Sequence, residues 1–152
     1  MPKRGESDAV VIERRIAASP ATVFSFFSDA ARWMRWQGVE AEIELAPGGV
    51  FRMNVRGDGF ASGRFLEVVP DRRLRFTWGW ERDTLGVPPG STTVEIDLES
   101  DGDGTLLRLT HSRLPGRSVP SHRDGWKHYV GRLVVVAEGG DPGGDPSVVA
   151  GT

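Results

Sequence analysis

Three histidines are the residues of this sequence best suited to acid–base or metal chemistry. His122 and His128 lie in the stretch SHRDGWKHYVGRLVVV, which starts at Ser121, and His111 lies in an earlier stretch of alternating hydrophobicity. An unperturbed imidazole titrates near neutral pH, so an inward-facing His111 or His122 could act as a general acid–base or orient a polar ligand group. A ring bonded to backbone or water would serve the structure alone, and both alternatives stay open.

The same stretch predicts a long amphipathic helix. Residues 121–124 match a capping box, and an apolar run follows them. At about 100° per residue, Trp126, Val130 and His122 fall on the inward side, whereas His128 falls on the opposite, outward face. Because His122 and His128 point apart, they cannot bind one metal ion together. We therefore expect no metal site.

Other motifs that carry chemistry are also missing. Asp101 and Asp103 lack the spacing and the closing glutamate of a calcium loop, and a hairpin turn explains them. The glycines at 57, 59 and 63 lack the strand-to-helix context of a nucleotide-binding loop, and no nucleophile elbow is present. We expect no cofactor and no complete catalytic constellation.

Charge and cysteine content limit the partners. The 152 residues carry a formal net charge of −2, from 19 basic and 21 acidic side chains. This balance gives no electrostatic reason to expect a nucleic acid or an anionic membrane as partner. Cysteine is absent, which excludes disulfides and thiolate ligands and fits a reducing compartment. Without a signal-peptide or membrane-span pattern, we expect a cytoplasmic protein.

Composition divides the chain into three parts. We expect a flexible N-terminus over 1–8, a single domain over 9–138 and a disordered tail over 139–152. The tail, GGDPGGDPSVVAGT, is rich in glycine, proline and aspartate and lacks periodicity. A domain of this length can enclose one core with room for a cavity.

Periodicity predicts the architecture of that domain. A first strand over 10–16 is followed by a helix start at Ser19-Pro20 and by a second short helix that Asp29 can cap. From Ile43 to His111, apolar and polar residues mostly alternate, which is the pattern of β-strands. A curved sheet needs its apolar face covered, and only the terminal helix is long enough to cover it. We expect an α+β fold, with a curved antiparallel sheet wrapped around a long C-terminal helix and two short helices after the first strand.

Large aromatic side chains dominate the predicted inner face of the sheet. Phe76, Trp78 and Trp80 share one side of a strand, and such rings give rigid apolar surface suited to flat ligands. They could fill the core or line a cavity, and alternation places Arg75 on the outer, solvated face. The residues predicted to bind a ligand are Trp36, Phe51, Met53, Phe76, Trp78, Trp80, Ile96, Leu109, His111, His122, Trp126 and Val130.

Several stretches, in order over roughly residues 10–138, resemble the SRPBCC superfamily of START-like, helix-grip proteins. They are RRIAASPATVFSFFSD, ARWMRW, LAPGGVFRM, GRFLEVVPDRRLRFTW, GTLLRLTHSRLP and GWKHYVGRL. Within the superfamily they are similar to the branch named after the activator of the 90-kDa heat-shock-protein ATPase. The resemblance implies a hydrophobic cavity between sheet and terminal helix. One departure is that Trp33 and Trp36 are separated, where the family often has adjacent tryptophans.

Three functions are compatible with these observations. The leading expectation is binding of a small apolar or aromatic molecule, without catalysis. The alternatives are a polyketide cyclase-like or hydrolase-like enzyme that uses His111 or His122, and a chaperone ATPase regulator. The last rests on the family name, and we expect no additional domain that could dock a large partner. A homodimer is expected if Val135 and neighbouring apolar residues are exposed.

Overall fold

The computed structural model describes residues 9–82 and 86–149. The predicted order of elements is confirmed: one strand, two short helices, six strands and one long helix. The strands are β1 (Val10–Ile16), β2 (Glu40–Ile43), β3 (Val50–Asn54), β4 (Phe60–Val69), β5 (Arg73–Trp78), β6 (Thr92–Asp101) and β7 (Gly104–Ser112). The helices are α1 (Pro20–Ser25), α2 (Ala30–Trp33) and α3 (Val119–Ala137), and the 3₁₀ helix Gly116–Ser118 leads directly into α3.

The strands form one antiparallel seven-stranded sheet in the order β1-β7-β6-β5-β4-β3-β2. Consecutive strands pair as hairpins from β2 to β7, while β1 returns to pair with β7. The register of β4 against β5 shifts between Phe65 and Glu67, as it does at a β-bulge. A bulge increases local twist and bends the strand, so it helps the sheet to curve around α3.

Short polar caps begin the two early helices, as predicted. Ser19 Oγ accepts a hydrogen bond from the backbone N–H of Thr22 at 3.2 Å. Asp29 Oδ1 accepts one from the backbone N–H of Arg32 at 2.8 Å. These bonds satisfy donors that a helix start would otherwise leave unpaired. The second helix thereby brings Trp33, Trp36 and Gln37 against the sheet, where all three are buried.

The long helix α3 starts earlier than predicted, and the prediction of a capping box at residues 121–124 is wrong. The helix begins at Val119, and Ser121 lies inside it, donating from Oγ to the carbonyl of Ser118 at 3.2 Å. Pro120 is compatible with this start because the first helical turn has no need of its missing N–H. The preceding 3₁₀ turn already directs the chain into the helix. At its other end, α3 stops at Ala137, before Gly139, whose φ is +94°.

The inner face of the sheet and the inward face of α3 enclose the core. Leu74, Phe76 and Trp78 of β5 are buried, as their alternation predicts. Between them, Arg75 pairs with Glu95 (3.3 Å between Nε and Oε1) on the outer face. The α+β fold with a curved sheet gripping a C-terminal helix is therefore confirmed. None of the helices among the described residues has the length and apolar character needed to span a membrane.

Residues beyond α3 turn back along the helix. The guanidinium of Arg132 donates from Nη2 to the carbonyl of Gly143 at 3.0 Å. The backbone N–H of Val149 donates to the carbonyl of Arg56 at 2.7 Å. These bonds lay the segment 141–149 beside the turn that follows β3. Disorder of the tail stays a prediction from composition, and amide hydrogen exchange tests it.

Candidate ligand-binding cleft

A cleft of about 110 Å³ lies where the first turns of α3 face the end of β5. Its walls come from segments far apart in the sequence: α3, the end of β5, the turn after β3 and the loop between α2 and β2. The lining residues are Gln37, Val55, Arg56, Trp78, Trp80, Ser121, His122, Gly125, Trp126 and Tyr129. Most of this wall is apolar, which is the usual character of a small-molecule site.

The cleft has room at α3 because residue 125 has no side chain. A Cβ built on Gly125 meets no heavy atom within 4 Å, so it would project into open space. Gly125 lies inside α3 and lines the cleft. A glycine inside a helix costs roughly 0.5–1 kcal/mol relative to alanine. Here the glycine at position 125 leaves space in the cleft beside Trp126.

Three tryptophan rings form the aromatic wall. The Trp78 ring lies 5.3 Å from Trp126 and 5.4 Å from Trp80, measured between centroids. The Trp78–Trp80 pair is edge-to-face, an arrangement that the ring quadrupoles favour. Trp78 and Trp126 are each only 3% exposed, so the wall is fixed by packing against the core.

His122 lies at the cleft with both ring nitrogens already bonded. Its Nδ1–H donates to the carbonyl of Ser118 at 2.7 Å. Its Nε2 accepts a hydrogen bond from the indole N–H of Trp80 at 3.1 Å. An indole nitrogen can only donate and a carbonyl can only accept, so the neutral Nδ1–H tautomer is the one that fits.

His111 is fully buried behind the wall and has the opposite tautomer. Its Nδ1 accepts from the indole N–H of Trp126 at 2.9 Å. Its Nε2 lies 2.8 Å from Thr92 Oγ1. Because the Thr92 hydroxyl donates to the carbonyl of Trp78 at 2.7 Å, its oxygen is left to accept from the Nε2–H of His111.

Both imidazoles are therefore held neutral. Burial lowers the pKa of His111 well below its ordinary value of 6.5, and the His122 ring lowers it further. Burial also lowers the pKa of His122, against a smaller opposing effect of the Ser118 carbonyl. The two ring centroids are 5.3 Å apart, so a charge on one would disfavour a charge on the other. Both histidines face inward as predicted, but neither has a free nitrogen for proton exchange with a ligand.

Gln37 supplies an amide to the cleft. It is 3% exposed, and its Oε1 accepts from the indole N–H of Trp33 at 2.9 Å. This bond fixes the orientation of the amide, because the indole needs the oxygen as its acceptor. The Nε2 group has no hydrogen-bond partner among the residues that the structure describes.

The cleft contains only part of the set predicted to bind a ligand. Trp78, Trp80, His122 and Trp126 line it. The remaining members lie in the packed interior around it, all of them at most 2% exposed: Trp36, Phe51, Met53, Phe76, Ile96, Leu109, His111 and Val130. Phe51 and Phe76, for example, contact each other at 4.6 Å between centroids. A role in ligand contact stays a prediction for every member of the set.

Sequence reasoning missed the parts of the cleft that come from turns and gaps. Gln37 and Arg56 follow an element end, where periodicity carries no information about direction. Gly125 was visible only as a glycine inside an amphipathic helix. Tyr129 flanks the inward stripe of α3, and that position was the one available signal for it.

A carboxylate from the C-terminal segment binds the cleft residue Tyr129. Asp145 accepts hydrogen bonds from the hydroxyl of Tyr129 and from the Nε2–H of His128, each at 2.7 Å. Partial burial raises the pKa of Asp145, but these bonds and those from Ser147 outweigh it and hold the pKa well below its ordinary value. Burial raises the pKa of Tyr129 to about 12. His128 is thus half-covered by the segment, although it lies on the outward side of α3 as predicted.

Metal coordination has no geometric support here. In the parts of the chain that the structure describes, 9–82 and 86–149, no group of three or more histidine, cysteine or acidic side chains could hold a metal ion. His111 and His122 are the only histidines that approach each other there, and their nitrogens are all bonded within the protein.

Several solved structures are similar to this chain. The AHSA1-like protein of Rhizobium etli is 47% identical, with a TM-score of 0.71 over 95% of this chain and 92% of its own. CalU16 of Micromonospora echinospora is 30% identical, with a TM-score of 0.70 over 86% of this chain and 76% of its own. DynU16, from the dynemicin biosynthetic locus, is 28% identical, with a TM-score of 0.76 over 89% of this chain. This chain spans about half of DynU16, 49% of its length.

The family assignment rests on a match to a family model. A search of curated proteins found no significant relative. The family model described as "Activator of Hsp90 ATPase homolog 1-like protein" matches residues 17–138. This match covers both early helices, β2 to β7 and all of α3. The chain therefore belongs to the family of activator of Hsp90 ATPase homolog 1-like proteins, the branch of the SRPBCC superfamily that its sequence resembles.

Proposed function

We propose that this protein binds a small apolar or aromatic molecule in the cleft between the end of β5 and the start of α3. The observation that carries the proposal is the cleft itself: three tryptophan rings converge on a space that Gly125 leaves open. Aromatic walls of this kind bind flat rings through apolar burial and ring–ring contact.

The volume of the cleft suggests the size of the buried group. In another protein, an apolar cavity of about 150 Å³ holds one benzene molecule. The cleft here is about 110 Å³ and opens on one side. We infer that one ring enters this space, while the rest of a larger molecule lies in the mouth beside Arg56 and Tyr129.

Titration with single-ring probes tests the proposal. The indole N–H signals of the five tryptophans report separately on different parts of the domain in two-dimensional ¹H–¹⁵N NMR. We expect saturable shifts for Trp78, Trp80 and Trp126, and little change for Trp36, whose indole donates to the carbonyl of Phe26 in the core. A probe panel that produces no saturable shift at the cleft tryptophans would remove the basis of the proposal.

A matched pair of glycine substitutions links binding to the cleft. Gly125→Leu adds a side chain that projects into the open space, so it should abolish probe binding. Gly131→Leu adds the same side chain to the same helix away from the cleft, where the nearest atom to the new Cβ is the flexible end of Arg14 at 3.9 Å. This control should bind the probes as the native chain does. Equal binding by both variants would place the ligand elsewhere.

The other hypotheses have less support. Acid–base catalysis by His111 or His122 would require a ring nitrogen to leave its present partner. Regulation of a chaperone ATPase rests on the family description, and pull-down with the host chaperone is its direct test. A homodimer stays a prediction, since Val135 is 38% exposed but its neighbours Val134 and Val136 are buried.

A further inference from the structure

The C-terminal segment 141–149 is bonded to two elements that both contribute to the cleft. On α3, the hydroxyl of Tyr129 donates to Asp145 Oδ2 at 2.7 Å. On the turn after β3, residues 55–59, the carbonyl of Arg56 accepts from the backbone N–H of Val149 at 2.7 Å. Tyr129 and Arg56 both line the cleft, one from each element. The segment therefore ties α3 to this turn beside the cleft.

Asp145 anchors the segment to α3. Its side chain is 8% exposed and accepts four hydrogen bonds. Two of them come from α3, from the hydroxyl of Tyr129 and from His128 Nε2, each at 2.7 Å. The other two come from the backbone N–H and the hydroxyl of Ser147, within the segment itself. Bonds to an ionised carboxylate are stronger than those between neutral groups, so this one side chain supplies much of the attachment.

The other attachment lies on the part of the cleft wall that can move most easily. Arg56, Gly57 and Asp58 are exposed, whereas the tryptophan wall is packed into the core. A Cβ built on Gly57 would lie 3.2 Å from the carbonyl oxygen of Val149, so the segment lies directly on this turn, backbone against backbone. Displacing the turn uncovers little apolar surface, and such regions open at low cost.

Polar bonds hold the segment more than burial does. Asp141, Gly143 and Gly144 are exposed, and Val149 is 49% exposed. A segment with few buried apolar contacts detaches at a much smaller free energy than global unfolding. Two glycines, 139 and 140, connect it to the end of α3 and permit a change of backbone direction there. The segment can therefore detach while α3 and the sheet stay folded.

We infer that the segment 141–149 is a clasp between α3 and the turn after β3, that it opens when a ligand enters or leaves the cleft, and that Asp145 is the positioning residue that keeps it closed. This inference rests on the proposed function and concerns the regulation of the same site. The closed clasp fixes the mouth between Tyr129 and Arg56. When it opens, the turn can move away from α3 and let a ring pass to the space beside Trp126.

A kinetic signature follows from this arrangement. If only the open state exchanges ligand, the rates of entry and of exit both scale with the fraction of open protein. The tryptophan wall that contacts the ring is the same in both states. The dissociation constant should therefore change little when the clasp is weakened. A segment that only completed the wall of the site would act on the exit rate alone.

The duplicated GGDP sequence supplies a matched control. Asp145→Ala, in the second copy, removes both bonds from α3. Asp141→Ala is the same substitution in the first copy, where the carboxylate accepts from the N–H of Gly143 in its own turn. His128→Ala removes one bond from the helix side, at a residue outside the cleft lining. At about fivefold for each bond, the open fraction should rise about fivefold in His128→Ala and about 25-fold in Asp145→Ala, and stay near the native value in Asp141→Ala.

Two NMR measurements test the inference. Hydrogen exchange of the Val149 amide, which donates to Arg56, reports the opening of the clasp. Line shapes of the Trp78, Trp80 and Trp126 indole N–H signals, recorded with toluene as the probe, give its association and dissociation rate constants. Both constants should rise by the factor found for Val149 exchange, with a dissociation constant within about twofold of the native value. Exchange of the amides in β6 should stay native, because the opening is local.

The outcomes separate the inference from the proposed function. Native toluene rates in Asp145→Ala and His128→Ala, despite faster Val149 exchange, overturn the inference and leave the proposed function intact. A rise of the dissociation rate alone, or faster rates that accompany loss of protection throughout β6, has the same meaning. So does a Val149 amide that is unprotected in the native protein. Absence of toluene binding to the native protein overturns both. If Asp145→Ala does not fold, the comparison of His128→Ala with the native protein decides.

Discussion

Acidification from about pH 7.5 to about pH 5.5 should destabilise the protein through its buried histidines. His111 is 0% exposed, and both of its nitrogens serve neutral hydrogen bonds. Burial lowers its pKa well below 6.5, so the folded state keeps the ring neutral where the unfolded chain takes up a proton. The unfolded state binds more protons in this range, and stability therefore falls as pH falls.

The size of the effect follows from linkage. For an unfolded pKa of 6.5 and a folded ring that its two neutral hydrogen bonds keep uncharged, one such histidine loses about 1.4 kcal/mol of stabilisation by pH 5.5, one full pH unit below the unfolded pKa. His122 acts in the same direction, because its pKa is also lowered. The contribution of the two neutral histidines to stability is fully present above pH 6.5. It is lost as the pH falls toward the pKa values of the folded state. Asp145, whose pKa is also lowered, loses its contribution only in a more acidic range.

Urea unfolding, followed by tryptophan fluorescence at both pH values, measures this loss. His111→Gln should be less stable at every pH and should lose about 1.4 kcal/mol less on acidification, because residue 111 no longer titrates. His128→Gln is the control, since it leaves both buried rings in place and should retain the acid-side loss. An unfolding free energy that is flat across the range, or a full pH dependence in His111→Gln, would refute the reasoning.

Three further predictions follow from the same contacts. Long-range ¹H–¹⁵N NMR should find His111 as the Nε2–H tautomer and His122 as the Nδ1–H tautomer; the reverse assignment for either ring would contradict the hydrogen-bond network. Gly125→Ala should raise the free energy of unfolding by about 0.5–1 kcal/mol, because the added methyl meets no atom and favours the helix, and denaturant titration measures it. Tyr129→Phe removes the hydroxyl donor to the C-terminal segment, so hydrogen exchange of 141–149 should accelerate, whereas unchanged exchange would assign no anchoring role to that hydroxyl.

The sheet and the inward faces of its strands could be predicted from the sequence because burial follows alternation there. Leu107, Leu109 and His111 share one face of β7, and all three are buried. The start of α3 could not be predicted from the serine at 121, because the preceding 3₁₀ turn sets the direction of the chain. Local sequence patterns predict that a helix forms and which face it buries. Its first residue depends on the conformation of the segment that precedes it.

The candidate cleft was less predictable for a different reason. Periodicity assigns residues to a face, and it correctly predicted that Trp78 and Trp126 point inward. It cannot say which inward residues touch each other and which border a gap. That distinction depends on Gly125 and on Gln37, which meet only when α2 and α3 pack on the same sheet. Nor can spacing reveal that His111 and His122 accept indole N–H groups.

Two features that lower the stability of this protein belong to residues of the cleft. A glycine inside α3 costs roughly 0.5–1 kcal/mol of helix stability, and a buried donor without an acceptor, such as the Trp78 indole, costs about 1–3 kcal/mol. Gly125→Ala would remove the first cost with a single methyl group, and any nearby acceptor would remove the second. A domain shaped by stability alone has no reason to keep a glycine inside α3 on the wall of the cleft. Departures from the most stable solution concentrate at functional sites. A ligand ring would fill the space beside Gly125, so its binding would offset the first cost in the folded state.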